Sequence, residues 1–257
     1  MIGVQVSAAG VVTGWGRGVG ALPADPVRAA AGRPVVAATP TPRPGDRLRR
    51  ATRESLLAID AVEALLDDGG LPRARIAGDA TALVYVTAAA YGASNRAFVE
   101  GGASALHFPY TAPSAVPAEV AIEFGLHGPY TVLIGGAATT LDALDHAVTL
   151  LARGVCAQAL VLGVETFAEC ADLHARTRWL TPRPLVEAAA AVLLTPSRRE
   201  APASVSRKDA DAASMACGPL IALAVARARG GGAVAVSGRW RGRTTTLTLG
   251  VMAAAGP

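Results

Sequence analysis

The cysteine, histidine and paired-threonine side chains that could do covalent or acid–base chemistry in this 257-residue chain are few and scattered. They comprise three cysteines (Cys156, Cys170 and Cys217), four histidines (His107, His127, His146 and His174) and a threonine pair, Thr139 and Thr140, behind the small-residue run Gly135-Gly136-Ala137-Ala138. A reactive thiol needs a helix N-terminus or a basic neighbour to lower its pKa. Cys217, ahead of a helix predicted from Gly218-Pro219, is the one cysteine with that context, while Cys156 opens a predicted strand. The cysteines are too few and too widely spaced for a disulfide framework or paired zinc ligands, so no metal site is expected. Thr139 and Thr140 would be nucleophiles only beside a base; at the start of a helix predicted over 139–153, capping of a free amide is the better role. His146, seven residues along that helix from Thr139, reads as a polar contact on its flank, and His107 and His127 as loop residues. Gly16, Gly18 and Ala21 fit a loose G-x-G-x-x-A, but a dinucleotide site needs a helix there, and Leu22-Pro23-Ala24-Asp25-Pro26 follows. No cofactor is expected.

Composition bounds the setting. At 51% hydrophobic and 17% charged, with mean hydropathy +0.36, the chain can bury a large core in one sizeable domain. With 4% aromatic residues, that core must be built largely from Ala, Val and Leu. The net charge of +4 and pI of about 9.3 come from dispersed arginines, not a basic arm, so nucleic acid is not an expected partner. A modestly positive surface also suits an acidic protein partner. No leader or membrane span is visible, and the cysteine usage fits a reduced cytoplasm.

The elements that must position these residues alternate between strand and helix. Strands are predicted at 4–13, 80–88, 130–134, 155–164, 187–196, 233–237 and 244–249, and helices at 47–66, 94–100, 117–125, 139–153 and 219–229. The Pro-rich stretch 34–44 is a loop, and 197–214 turns polar and charged, as a linker would. The alternation indicates a layered α/β fold.

Four segments in order carry a family resemblance: Val11-Val12-Thr13-Gly14-Trp15-Gly16; Leu65-Leu66-Asp67-Asp68-Gly69-Gly70-Leu71; Phe124-Gly125-Leu126-His127-Gly128-Pro129; and Arg153-Gly154 followed by Ala159-Leu160-Val161-Leu162-Gly163-Val164-Glu165. This set resembles the β-ketoacyl synthases, and most of all the chain-length factors of type II polyketide and aryl-polyene systems. The resemblance implies a thiolase-like α/β/α fold with a complete N-terminal half (1–196), the polar linker (197–214) and an abbreviated C-terminal remnant (215–257) packing on the same domain.

The resemblance also implies what is missing. Counted from Gly128-Pro129, the condensing enzyme's cysteine position is Ala137, whose methyl group cannot hold an acyl thioester. No His-Gly-Thr-Gly-Thr occurs, and the last histidine is His174, ahead of the region where both catalytic bases would lie. The resemblance therefore implies no catalytic residue, a ketosynthase subunit as heterodimer partner, and acyl carrier protein bearing the growing chain. Gly135, Gly136, Ala138 and Thr139 become the nucleophile-loop equivalents, small enough for close approach of a partner. Tyr91, Ser94 and Phe98, at i, i+3 and i+7 on one helix face, become the residues that set tunnel depth, with ordinary core and interface contacts as the alternative. A stand-alone thiolase-fold acyltransferase or thioesterase using Cys217 or a threonine, and a homodimeric acyl-binding pseudoenzyme, stay open.

Overall fold

The computed structural model describes residues 3–43, 47–48, 51–101, 105–176, 183–197, 205–209 and 212–254. The first part of the chain forms β1 (Gly3–Thr13), β2 (Gly16–Arg17), α1 (Pro26–Ala30), β3 (Val35–Val36) and α2 (Arg53–Gly69). Then come β4 (Thr81–Thr87), α3 (Gly92–Val99), α4 (Ala115–Phe124), β5 (Tyr130–Ile134), α5 (Ala137–Ala152) and β6 (Gln158–Glu165). The remainder holds α6 (Ala171–Arg176), β7 (Leu185–Val186), β8 (Ala188–Ser197), β9 (Val205–Asp209), α7 (Gly218–Ala228), β10 (Gly232–Trp240) and β11 (Arg243–Val251).

Among the described residues the main sheet runs β5-β4-β6-β8-β1-β11-β10-β9, with β2 paired to β1. Its central strands β4, β6 and β8 are apolar along most of their length because both faces are covered. Alternate side chains divide cleanly: Ala82, Val84 and Val86 of β4 and Ala188, Ala190 and Val192 of β8 join the core under α5 and α7. Leu83 and Tyr85 of β4, with Ala189, Ala191 and Leu193 of β8, join the core under α2 and α4. This is the α/β/α layering that the resemblance implied. The alanines of β8 let helices approach closely, and Gly10 of β1 takes this furthest, since a Cβ there would sit 2.0 Å from the Ala61 carbonyl oxygen of α2.

Three expectations are corrected. The helix placed at 47–66 begins at Arg53, because Thr52 caps it: the Thr52 hydroxyl accepts from the Ser55 amide at 3.3 Å. It ends at Gly70, which takes the left-handed conformation (φ 58°). The helix placed at 139–153 begins two residues earlier, at Ala137, with Gly136 as N-cap and no capping side chain, so neither Thr139 nor Thr140 caps it. The stretch 197–214 contains a sheet strand, β9, pairing in parallel with β10 from Ala233↔Val205 to Ser237↔Asp209; residues 198–204 and 210–211 of that stretch lie outside the described residues.

The last strands belong to the same sheet, with β11 running parallel to β1. Arg227, 3% exposed, fixes this end of the chain. Its Nε donates to Asp68 Oδ2 at 2.6 Å and its Nη1 to the carbonyls of Met252 and Ala253 at 2.9 and 3.0 Å. Asp68 Oδ2 also accepts from the Ala9 amide at 3.0 Å, so one carboxylate links α2, β1 and α7.

Candidate functional site

Strand β5 delivers the chain to a tight Gly135-Gly136 turn from which α5 starts, with Ala137 as its first residue. Ala137 and Ala138 are 4% and 1% exposed. Gly238 of β10 lies directly on Ala137: a Cβ at 238 would fall 2.7 Å from the Ala137 carbonyl oxygen and 3.0 Å from its Cβ. Small residues on both sides thus bring a strand onto a helix N-terminus, and Gly238→Ala is expected to cost about 1–3 kcal/mol through overpacking, read as a lower denaturation midpoint. Thr139 faces the turn, with its Oγ1 against Gly135. Thr140 Oγ1 donates to the Ala216 carbonyl at 2.7 Å. His146 lies on the α5 flank at 3.1 Å from Thr131 Oγ1, the polar contact expected of it. His127 sits exposed 3.9 Å from Asp79, and the side chain of His107 lies outside the described residues.

Behind this turn is a carboxylate that sequence reasoning passed over. Glu165, at the end of β6, is fully buried. Its Oε1 accepts from the amides of Ala88 (2.8 Å) and Ala216 (3.1 Å), and its Oε2 from the amide of Ala89 (3.0 Å). The Thr87 hydroxyl is 3.4 Å from Oε2. Burial outweighs these donors and pushes the carboxyl up to about 7. The signal in the sequence is a lone acid closing the apolar run 159–164, where a charge must find partners. Cys217 is buried beside it, its thiol donating to the Ala188 carbonyl at 3.3 Å. Burial, then the neighbouring Glu165, raise its pKa well above the ordinary thiol value, which keeps it protonated. Its position before α7 therefore does not activate it.

The three residues expected to share one helix face part company. Tyr91 is the N-cap of α3, Phe98 packs on Phe108 with ring centroids 5.6 Å apart at the surface, and Ser94 faces inward. Ser94, Ala93 and Ala97 form the roof of a cavity of about 290 Å³ whose other walls are Arg53 and Glu54 of α2, Tyr110, Ala168 and Glu169. Arg53 is engaged there with Glu187, which is fully buried and also accepts from the amides of Ala38, Phe167 and Ala168 at 2.9, 2.8 and 3.1 Å. Arg53 and these donors hold Glu187 below the usual carboxylate range against the opposing effect of burial. No group of His, Cys, Asp and Glu able to hold a metal ion occurs among the described residues.

The β5 edge of the sheet is uncovered. Six of the ten exposed large apolar side chains among the described residues, Phe98, Val99, Phe108, Ile122, Tyr130 and Ile134, lie on β5 or on the elements linking β4 to it. An open strand edge that carries exposed apolar side chains, here Tyr130 and Ile134, presents unpaired backbone groups to which another strand can pair.

This architecture has known counterparts. The chain of the ishigamide ketosynthase/chain length factor superposes with TM-score 0.69 at 16% identity, over 96% of this chain and 98% of that one. A chain of AntDE:AntF, a type II PKS acyl-carrier protein in complex with its ketosynthase bound to the hexaketide, superposes with TM-score 0.72 at 12% identity, over 98% and 100%. A chain of the ketosynthase ApeO in complex with its chain length factor ApeC, from Xenorhabdus doucetiae, gives 0.59 at 16% identity, over 93% and 98%. Near-complete coverage in both directions means that the compact size is shared with these chains. A search of curated proteins found no match. Residues 43–218, well over half of the chain, match the family model described as β-ketoacyl synthase, N-terminal domain, and the chain belongs to the β-ketoacyl synthase family.

Proposed function

We propose that this chain is a chain-length-factor-like subunit that pairs with a ketosynthase through its β5 edge and closes the far end of the acyl tunnel in type II polyketide synthesis on acyl carrier protein. The observation that carries the reading is the open edge of β5 with its exposed apolar side chains Tyr130 and Ile134. The structural neighbours, two of them ketosynthase and chain length factor assemblies and one a ketosynthase with its acyl-carrier protein, support the same reading. Ala137 at the start of α5 supports a binding role, since the position at the strand-to-helix turn carries no nucleophile. A stand-alone acyl-transfer enzyme built on Cys217 is disfavoured, because that thiol is buried and its pKa raised.

Co-expression with a ketosynthase encoded beside it, followed by mass measurement and an elongation assay with malonyl-loaded acyl carrier protein, tests the reading. A one-to-one complex active only with both chains is expected; a homodimer that leaves ketosynthase activity unchanged sinks it. Within such a complex, Ser94→Phe should fill much of the cavity under α3 and shorten the product by one or more extension units without weakening association. An unchanged product distribution removes Ser94 from the tunnel.

A further inference from the structure

A second cavity, of about 240 Å³, runs along α7 and shares no residue with β5 or with the cavity under α3. Gly218, Ile221, Ala222 and Val225 of α7, with Arg229 at its C-cap, line it at the i, i+3, i+4, i+7 and i+11 spacing of a single helix face. The cavity therefore follows the helix for roughly 16 Å. Trp15, Leu22 and Pro23 complete an apolar wall along that length. Its two ends are polar. Ser214, in the segment leading into α7, is 3% exposed and lines the cavity; among the described residues its hydroxyl has no hydrogen-bond partner, and it is not sealed from solvent. A buried hydroxyl without a partner costs stability, and alanine would pack there without that cost. The turn that holds Ser214 is strained as well, since Met215 takes the left-handed conformation at φ 40°. At the other end Arg229 is exposed, and among the described residues its guanidinium has no ion pair. Among the described residues no acidic side chain lines the cavity, while the Arg33 guanidinium lies 5.7 Å over the Trp15 ring, so the local field is positive.

We propose that this cavity binds a linear aliphatic carboxylate with a hydroxyl group at its far end. Arg229 takes the carboxylate, the α7 face and Trp15 take the hydrocarbon, and the Ser214 hydroxyl pairs with the distal one. A volume of about 240 Å³ spread over the length of α7 leaves width for one unbranched chain and not for a fused ring system. The C-terminal end of α7 itself opposes an anion, but with roughly half a charge against the full charge of the guanidinium. A cationic head is repelled by Arg229 and finds no acid in the wall. The site lies apart from the β5 edge, so it is a binding site of this chain whether or not the chain pairs with a ketosynthase.

Calorimetric titration of the full chain with 10-hydroxydecanoate, decanoate and decan-1-ol tests this. The wild type should bind 10-hydroxydecanoate about fivefold more tightly than decanoate, the ratio expected of one neutral hydrogen bond. It should bind decanoate more tightly than decan-1-ol, by a margin that narrows as salt is added. Ser214→Ala should erase the first difference and Arg229→Gln the second, each variant melting close to wild type because neither side chain has a partner to lose. Ile221→Trp should weaken all three probes by filling the slot. If that variant does not fold, a shift of tryptophan emission on binding, lost in Trp15→Phe, locates the ligand instead. No binding of any probe, equal affinities within either pair in the wild type, or differences that survive Ser214→Ala and Arg229→Gln would overturn the proposal. So would binding that a folded Ile221→Trp leaves intact, or an emission shift that persists in Trp15→Phe.

Discussion

Glu165→Ala is expected to lower the unfolding free energy by about 3 kcal/mol or more, a fall of roughly 10 °C in midpoint for a domain of this size. The variant strands three buried amides at once, those of Ala88, Ala89 and Ala216, which come from the turn after β4 and from the segment leading into α7. The loss should therefore appear as loosening of residues 212–217 against the β4–β6 end of the sheet, visible as faster amide exchange at both places. Glu165→Gln should cost less, since one amide oxygen can still accept from Ala88 and Ala216. The same carboxyl predicts a pH dependence. Its folded pKa, about 7, stands above the ordinary value of 4.5, so between those values the folded state holds a proton that the unfolded state has released. Its contribution is fully present below about pH 4.5 and is lost as the pH rises through 7, by on the order of 3 kcal/mol. Chemical denaturation at pH 5 and pH 8 reads this directly: wild type should be the less stable at pH 8 by more than Glu165→Gln is, and equal pH slopes in the two proteins would show that Glu165 is ionised throughout. Glu187 works in the opposite sense and in another window, since its folded pKa lies below 4.5 and its stabilisation fades only on acidification through that lower value.

The layers were legible in the sequence because they rest on short-range physics. Short continuous apolar runs such as 159–164 read as strands buried on both faces, 188–194 reads the same way despite its alanines, and the helical period of 53–66 survives any error at its start. Boundaries were less legible because they turn on single side chains. Thr52, not any feature near Arg47, captures the Ser55 amide, and a glycine without a capping side chain opens α5 where two threonines looked better suited. β9 was illegible for a different reason: Val205-Ser206-Arg207-Lys208-Asp209 is polar, and its strand character comes from β10 alongside it. The candidate site shows the same division. Periodicity placed Ser94 on a helix, and the cavity agrees; it also placed Phe98 on the same face, but α3 is short and Phe98 turns to Phe108 at the surface. The buried acids Glu165 and Glu187 escaped because their partners are backbone amides and an arginine distant in sequence.

Val132→Pro is expected to abolish ketosynthase association while leaving the chain folded. The Gly135 amide of the β5 turn donates to the Thr87 carbonyl of β4, and the Pro129 carbonyl accepts from Leu83. In a parallel pair the amide and carbonyl of one residue face the same neighbour, so odd-numbered residues from 129 to 135 bond to β4 and Tyr130, Val132 and Ile134 present their backbone groups outward. A proline at 132 therefore removes no hydrogen bond within the sheet. It does remove the central outward donor that an incoming strand would need. Ile134→Lys, at a side chain 50% exposed, is the complementary change: it is nearly free in the isolated chain, yet it buries an unpaired charge if the edge is covered. Each variant should reduce the co-eluting complex at least tenfold with a melting midpoint within a few degrees of wild type. The pair separates the two ways in which this edge can serve. If only Ile134→Lys dissociates the complex, the partner rests on the apolar surround and no strand is added to β5. If both do, the sheet continues into the partner, and the turn carrying Gly135, Gly136 and Ala137 is held at the heterodimer interface by the strand that precedes it.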